Sequence, residues 1–129
     1  MYGVSETTIF SSGKESVVIR KYLNGISSGV VLDTTDFAEK FIQCGHVIIR
    51  DTTSGEYKPM PVKDGAYEAL PANCEYVGVC MTTTPVDTPH VGVITAGEVN
   101  DKAVPFSVES IKAAIKTAVP TLQWGHDEL

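Results

Sequence analysis

Apolar residues are concentrated in short runs along the chain, and the clearest runs lie in its last third. Residues 76–81 read Tyr-Val-Gly-Val-Cys-Met and residues 91–95 read Val-Gly-Val-Ile-Thr, so that each run has the length of a strand. Residues 82–89 between them are rich in threonine and contain two prolines. The pattern predicts two strands that are joined by a loop.

Polar and apolar positions alternate after the second run. Residues 98–100 predict a further strand segment, which turns at residues 101–102 and continues through residues 103–104. We expect this segment to end at Pro105, because proline has no backbone N–H to donate to a sheet.

The next pattern has the spacing of a helix. Ser107 is placed to cap its first turn, and Phe106 and Ile111 have the spacing of a hydrophobic staple. Pro120 ends the pattern, and residues 121–124 alternate like a short closing strand with Leu122 and Trp124 on one side. The apolar stripe of the predicted helix consists of Ile111, Ala114, Ile115, Ala118 and Val119.

The first third of the chain contains a strong turn signal. Residues 16–23 predict a strand, Asn24-Gly25 is the sequence most typical of a two-residue hairpin, and residues 26–32 predict the returning strand. Residues 33–41 fit either an irregular segment or a turn of helix. The spacing of Phe37 and Phe41 favours the helical turn.

The middle of the chain predicts a second hairpin. Residues 46–50 form a β-branched run, and a turn leads back into residues 57–62, where two prolines indicate an edge strand or an irregular one. Residues 63–65 predict another turn, and residues 66–75 lack periodicity and are expected to form a loop.

Together these elements predict a mainly β fold of the β-rich α+β class, with one principal helix near the C-terminus. We expect a flexible arm over residues 1–15, a single domain over residues 16–124 and a short polar tail over residues 125–129.

The net charge and the lengths of the apolar runs exclude some classes of partner. Ten basic and sixteen acidic residues give a formal charge of −6, which argues against binding nucleic acid through a basic face. The longest apolar runs are too short to cross a membrane, and residues 1–6 do not resemble a signal peptide. We therefore expect synthesis in the cytoplasm and no membrane partner.

Cysteine and histidine raise the question of a metal or thiol site. Cys44 and His46 are two residues apart, and Cys74, Cys80 and His90 are further potential ligands. The spacing matches no zinc motif, and no glycine-rich turn or helix N-terminus is placed to activate a thiol. We expect the cysteines to fill space, with no metal and no cofactor, although a metal or thiol enzyme using Cys44 and His46 is an alternative.

The last four residues, 126–129, read His-Asp-Glu-Leu, which is a retrieval signal of the endoplasmic reticulum. The signal acts only after entry into the secretory pathway, and we interpret the match as a coincidence. A small secretory-pathway or sugar-binding β-module remains the second alternative.

The order of these segments resembles the head decoration proteins of lambda-type tailed bacteriophages. The similarity covers roughly residues 40–124. It includes the strand that begins Tyr76-Val77-Gly78-Val79, the polar loop over residues 82–88, and the strand from Val91 to Gly97 that precedes a polar strand, a short helix and a final apolar strand.

The resemblance implies a structural virion protein and not an enzyme. Its partners would be the phage major capsid protein and two further copies in a homotrimer, and it would stabilise the head from the outer surface of the capsid.

Residues 1–13 do not have enough apolar residues for a core of their own. Residues 7–11 nevertheless have the β-branched and aromatic content of a segment that can add to a sheet edge. We expect the capsid contact to include Val4, Thr7, Ile9 and Phe10.

Overall fold

The fold was analysed in a computed structural model, which describes residues 15–35 and 37–126. The predicted class is confirmed, because strands dominate and the principal helix lies near the C-terminus. The elements are α1 (Glu15–Val18), β1 (Ile19–Val31), β2 (Phe41–Ile42), β3 (Val47–Asp51), β4 (Tyr57–Pro59), β5 (Val62–Lys63), β6 (Ala66–Tyr67), β7 (Cys74–Cys80), β8 (Thr84–Pro85), β9 (His90–Asn100), α2 (Lys112–Ala118) and β10 (Leu122–Gly125).

The long strand β9 organises the main sheet. The strand order is β1-β9-β7-β3-β4, and β10 also pairs with β9. Strand β1 runs antiparallel along nearly the whole of one side of β9. The other side is shared by β7, at Val93 and Ile94, and by the parallel strand β10, from Gly97 to Asn100. Two short antiparallel pairs, β2 with β8 and β5 with β6, lie outside this sheet.

Both faces of the main sheet are covered by apolar side chains. Val47, Ile48 and Ile49 of β3 are all fully buried, which explains why their sequence shows a continuous apolar run and no alternation. Val47 and Ile49 belong to the core that includes Ile115 of α2. Ile48 belongs to a second core, which includes Ile42 of β2.

The predicted hairpin at Asn24-Gly25 is wrong. Both residues lie inside β1, which continues to Val31 along β9. The register shifts on both sides of Asn24, and a Cβ atom on Gly25 would lie 2.2 Å from the carbonyl oxygen of Val93. Gly25 is therefore needed because two strands approach closely at a bulge. An Asn-Gly sequence can mark such a bulge as well as a turn.

The predicted helical turn over residues 33–41 is also wrong. The described part of this stretch is irregular, and Phe41 belongs to β2. The carboxylate of Asp33 accepts hydrogen bonds from the backbone N–H of Thr35 at 3.1 Å and from its hydroxyl at 2.6 Å. Such local hydrogen bonds compete with the helical pattern.

The C-terminal helix begins later than predicted. Ser107 accepts a bond from the N–H of Glu109, but α2 starts only at Lys112, with Ile111 as its N-cap. The predicted stripe is partly correct, because Ile111, Ile115 and Val119 are buried. Ala114 and Ala118 are exposed, so the buried stripe of the helix is narrower than predicted.

Several strands agree with the sequence patterns, while the segment after Gly97 does not. Strands β3, β7 and β10 are confirmed, and β4 is a short edge strand. Strand β9 passes through Gly97 without a break, and residues 103–104 form turns and bends instead of the predicted strand. Asp64 and Gly65 have φ values of 55° and 78°, which confirms a turn at residues 63–65. Residues 66–75 include β6 and the start of β7, so they are not wholly a loop.

Substitution of Gly25 by alanine tests the role of this residue inside β1. We expect Gly25→Ala to lower the free energy of unfolding in urea by about 2–3 kcal/mol, because the new Cβ would overlap the Val93 carbonyl oxygen. Gly92→Ala is the matched control, since its Cβ would first meet the flexible Met81 sulfur at 3.3 Å. Equal stability of the two variants would contradict the close approach of β1 to β9.

Candidate interaction surface

The edges of the main sheet at β4 and at β1 differ in how they are closed. On the side of β4 away from β3, Leu32 forms a bridge to Tyr57, and the N–H of Asp33 donates to the Tyr57 carbonyl at 2.8 Å. Pro59 and Pro61 provide no N–H groups there. An added strand would therefore find few free backbone groups at β4.

The edge at β1 differs, because it has no partner strand in the described part of the chain. Within residues 15–35 and 37–126, no strand pairs with the side of β1 that faces away from β9. Long edge strands are ready templates for pairing with another chain, and proteins normally protect them. The outer side of β1, called the open edge below, is thus a candidate interaction surface.

Exposed apolar side chains are concentrated at the same edge. Five large hydrophobic side chains are exposed among the described residues, and four of them lie in β1 or in α1 just before it. Tyr22 and Leu23 are adjacent, and exposed apolar side chains that lie together are typical of interaction sites. The exposed fractions are 52% for Val17, 43% for Tyr22, 63% for Leu23, 69% for Val31 and 44% for Phe41 in β2.

Bulges give β1 an irregular course. Arg20 and Leu23 each lack an opposite residue on β9, because the register moves two positions along β1 for one along β9. Residues 27–29 are also additional to the pairing. A bulge redirects side chains and increases the local twist, so it limits pairing to partners that fit the shape of this edge.

The predicted capsid-contact residues Val4, Thr7, Ile9 and Phe10 lie outside the described residues. The described chain starts at Glu15, and α1 leads directly into β1. Val18, the last residue of α1, is 1% exposed and belongs to the core of the sheet. The point at which the predicted arm joins the domain is therefore fixed next to the open edge.

Two of the candidate metal or thiol residues bind backbone carbonyls. The Cys44 thiol donates to the Met81 carbonyl at 3.2 Å, and the Cys80 thiol donates to the Thr82 carbonyl at 2.8 Å. Both cysteines are buried, Cys74 is partly buried and His90 is exposed. In the described part of the chain, no three His, Cys, Asp or Glu side chains are grouped to hold a metal ion.

His46 lies in a cage of aromatic rings. Its ring meets those of Phe37, Tyr67 and Phe106 edge to face, with centroid separations of 5.1, 5.3 and 5.7 Å. The Nε2 atom bonds the carbonyl of Met60 at 2.9 Å. Burial lowers the pKa of His46 to about 4 and outweighs the opposite effect of this bond. The histidine is thus neutral at pH 7 and joins three separate segments of the chain.

Tyr67 connects this cage to the main sheet. Its hydroxyl accepts a hydrogen bond from the backbone N–H of Val47 at 3.0 Å. Burial raises the pKa of Tyr67, which keeps the phenol neutral. The β5–β6 pair is held against the sheet through this side chain.

The buried carboxylate of Asp101 anchors the end of the described chain. Its oxygens bind Lys112 Nζ at 2.5 Å and His126 Nδ1 at 2.8 Å. Burial alone would raise the pKa of Asp101, but the bonds to Lys112 and His126 outweigh it and lower the pKa. The first residue of the His-Asp-Glu-Leu sequence is therefore held by the domain, while the other three lie outside the described residues.

A surface concavity lies near the edge at β4. It has a volume of about 260 Å³, below the usual range for small-molecule sites. The residues that line it are Asp33, Phe37, Lys58, Pro59, Pro61 and Pro71.

Comparisons with protein-family models, curated proteins and solved structures found no match. No helix among the described residues is long and apolar enough to cross a membrane.

Sequence reasoning missed the exposed residues Tyr22 and Leu23. Both residues lie in the predicted hairpin, where residues 26–32 would form a neighbouring strand. An available signal was the adjacency of Lys21, Tyr22 and Leu23, which mixes charged and apolar residues without the alternation expected of a half-buried strand.

Acid should destabilise the protein through His46. The pKa is about 4 in the folded state and about 6.5 when unfolded, so protons bind preferentially to the unfolded chain. The contribution of neutral His46 to the free energy of unfolding is complete above pH 6.5. It is lost as the pH falls to 4, which lowers the free energy of unfolding by roughly 3 kcal/mol. Urea unfolding at pH 7 and at pH 4.5 measures the change, and His46→Gln should remove most of it. A wild-type stability that is unchanged across this window would contradict the buried, neutral histidine.

Replacement of Cys44 by serine tests the metal and thiol alternative. The Cys44 thiol donates to the Met81 carbonyl, and a serine hydroxyl can donate in its place. We therefore expect Cys44→Ser to fold and to keep the capsid binding that the resemblance implies. Elemental analysis of the purified wild-type protein should show no stoichiometric zinc. Bound zinc, or lost activity in a folded Cys44→Ser protein, would favour the enzyme alternative.

Proposed function

We propose that this chain is a head decoration protein of a tailed bacteriophage of the lambda type. It binds the outside of the major capsid shell as a homotrimer and stabilises the head. The order of strand, polar loop, strand, helix and closing strand over residues 40–124 supports this proposal, as does the mainly β fold.

The observation that carries the proposal is the open edge at β1. Four exposed apolar side chains lie on it or beside it, and the predicted arm joins the domain at the same place. A surface of this kind is suited to holding another polypeptide. It therefore favours a structural binding protein over a metal or thiol enzyme and over a secretory-pathway or sugar-binding module.

Stabilisation of a shell requires only modest contacts. Each copy adds buried area between neighbouring capsid subunits, and a trimer binds through three equivalent contacts at once. The second and third contacts form within an already tethered complex, so avidity makes the assembly tighter than one contact would. The charge of −6 suits a position outside the shell, because it would repel packaged DNA.

The arm supplies the first contact by adding a strand to a sheet of a capsid subunit. Main-chain hydrogen bonds give the affinity, while Val4, Ile9 and Phe10 enter pockets of the partner. Ordering a flexible backbone costs about 1–2 kcal/mol per residue, and this cost arises only on binding. Binding should therefore depend on the arm, whereas folding should not.

Deletion of residues 1–13 tests this division of roles. We expect the truncated protein to keep its melting temperature and oligomeric state, because α1, β1 and the buried Val18 are retained. It should fail to attach to expanded heads that lack the decoration protein, as measured by co-sedimentation. Wild-type affinity of the truncated protein would show that the arm is passive and would move the capsid contact to the folded domain, including residues 82–89.

A further inference from the structure

We propose that Asn24 is a site of spontaneous modification, at which the side-chain amide is lost through a cyclic imide that forms with the backbone nitrogen of Gly25. The final products are aspartate and isoaspartate at position 24, and the isoaspartate product weakens the pairing of β1 with β9. The inference is independent of the proposed function, because the reaction requires only the folded chain and water.

The side-chain carbonyl of Asn24 lies against the nitrogen that would attack it. The backbone N–H of Gly25 donates to Asn24 Oδ1 at 2.9 Å. Because Cγ is bonded directly to Oδ1, the Gly25 nitrogen is also held close to Cγ, where the new bond would form. Reacting groups that are already held together lose less entropy on the way to the transition state. Asn24 is exposed, so water reaches the site of the reaction.

The backbone at Asn24 departs from a regular strand. Asn24 pairs with Ala96 between two register shifts. Leu23 is the extra residue on β1 at the first shift, and Thr95 is the extra residue on β9 at the second. Such irregularities disrupt the ladder locally and redirect the groups beside them. The residue after Asn24 is also a glycine, which has no Cβ to hinder the approach of its nitrogen to Cγ. The local structure therefore favours ring closure inside β1.

The chain contains two other asparagines, Asn73 and Asn100, and both lie in the described residues. The N–H of the residue after Asn73 donates to the Pro71 carbonyl at 3.3 Å. The N–H of the residue after Asn100 donates to the Gly125 carbonyl at 3.3 Å, and Asn100 Oδ1 accepts from the N–H of Lys102 at 2.9 Å. In both cases the following nitrogen is held by another carbonyl, so these two asparagines are internal controls.

The reaction needs water and no other reactant. The Gly25 nitrogen gives its proton to solvent and bonds to Cγ of Asn24, and the amide C–N bond breaks and releases ammonia, which takes up a proton as it leaves. Water then adds to one of the two imide carbonyl carbons. Addition at Cγ breaks the new bond and gives aspartate. Addition at the backbone carbonyl carbon of residue 24 breaks the original peptide bond and gives isoaspartate. Both products carry an added carboxylate.

The isoaspartate product changes the course of β1. Its backbone passes through Cβ and Cγ of residue 24 and gains a methylene group directly before Gly25. The strands are too close for a side chain at Gly25, because a Cβ atom there would lie 2.2 Å from the Val93 carbonyl oxygen. A longer backbone at this point therefore disturbs a tightly packed contact between β1 and β9. The aspartate product keeps the original backbone and leaves this contact in place.

Incubation of the folded wild-type protein in mildly alkaline buffer tests the modification. Peptide mapping by mass spectrometry measures the conversion at each asparagine, and a synthetic peptide of residues 19–30 gives the rate without the fold. We expect Asn24 in the protein to convert at a rate within about tenfold of the rate in the peptide. Asn73 and Asn100 should convert much more slowly. Asn24→Gln should remove the conversion at position 24, because its longer side chain would have to close a larger ring.

The urea midpoint of the converted protein tests the structural consequence. Ion exchange separates the converted fraction by its added charge, and this fraction contains both products. It should unfold at a lower urea concentration than Asn24→Asp, which has the same charge and the original backbone. Asn24→Asp is the matched control and should unfold close to wild type.

Each part of the inference has a result that would overturn it. The fold protects Asn24, and the proposal is wrong, if the protein converts there more than about tenfold more slowly than the peptide, or no faster than at Asn73 and Asn100. If the converted fraction and Asn24→Asp unfold at the same urea concentration, isoaspartate does not weaken the pairing of β1 with β9. Neither measurement uses capsids, so this inference and the proposed function fail separately.

Discussion

Close approach of β1 and β7 to the centre of β9 is the constraint on which the rest of the structure depends. Gly25 of β1 and Gly78 of β7 lie on opposite sides of residues 93–94, and a Cβ atom on either would lie within 2.2 Å of a β9 carbonyl oxygen. A side chain at either position would push the strands apart. Because β1 pairs with one side of β9 and β7 with the other, β1 lies at an edge of the sheet and does not form a hairpin of its own.

The exposed surface follows from this arrangement. A hairpin over residues 16–32 would have given the first strand a local partner, whereas a single strand along β9 has no other partner strand among the described residues. Bulges at Arg20 and Leu23 limit indiscriminate pairing, while Pro59 of β4 and the nearby Pro61 limit pairing at the opposite edge. The described chain therefore presents a selective edge at β1, which is consistent with the binding role proposed above. Two buried polar residues have structural partners: His46 binds a backbone carbonyl, and Asp101 binds Lys112 and His126.

Sequence patterns predicted the fold class and most strands, because fully buried runs such as Val47-Ile48-Ile49 leave little ambiguity. They failed where one signal has two physical causes. Asn24-Gly25 is typical of a turn, yet here Gly25 permits contact with a strand about 70 residues away in sequence, which no local pattern reveals. Likewise, the spacing of Phe37 and Phe41 is that of neighbours on a helix, but the Phe37 ring packs against the His46 ring. The mixed sequence Lys21-Tyr22-Leu23 indicates exposure but does not locate the open edge, since the exposure of Leu23 depends on the long-range pairing and its bulge. The contact residues expected in the arm lie outside the described residues and stay a prediction.

The central claim is that this chain is a trimeric protein of the outer capsid surface. Cryo-electron microscopy of expanded heads that lack the decoration protein, imaged after incubation with the purified wild-type chain, tests it most directly. The account predicts added density on the outside of the shell, shaped as trimers around the local threefold positions and with the β1 edge toward the capsid. Heads that remain bare at saturating protein concentration, or density on the inner surface, would contradict it.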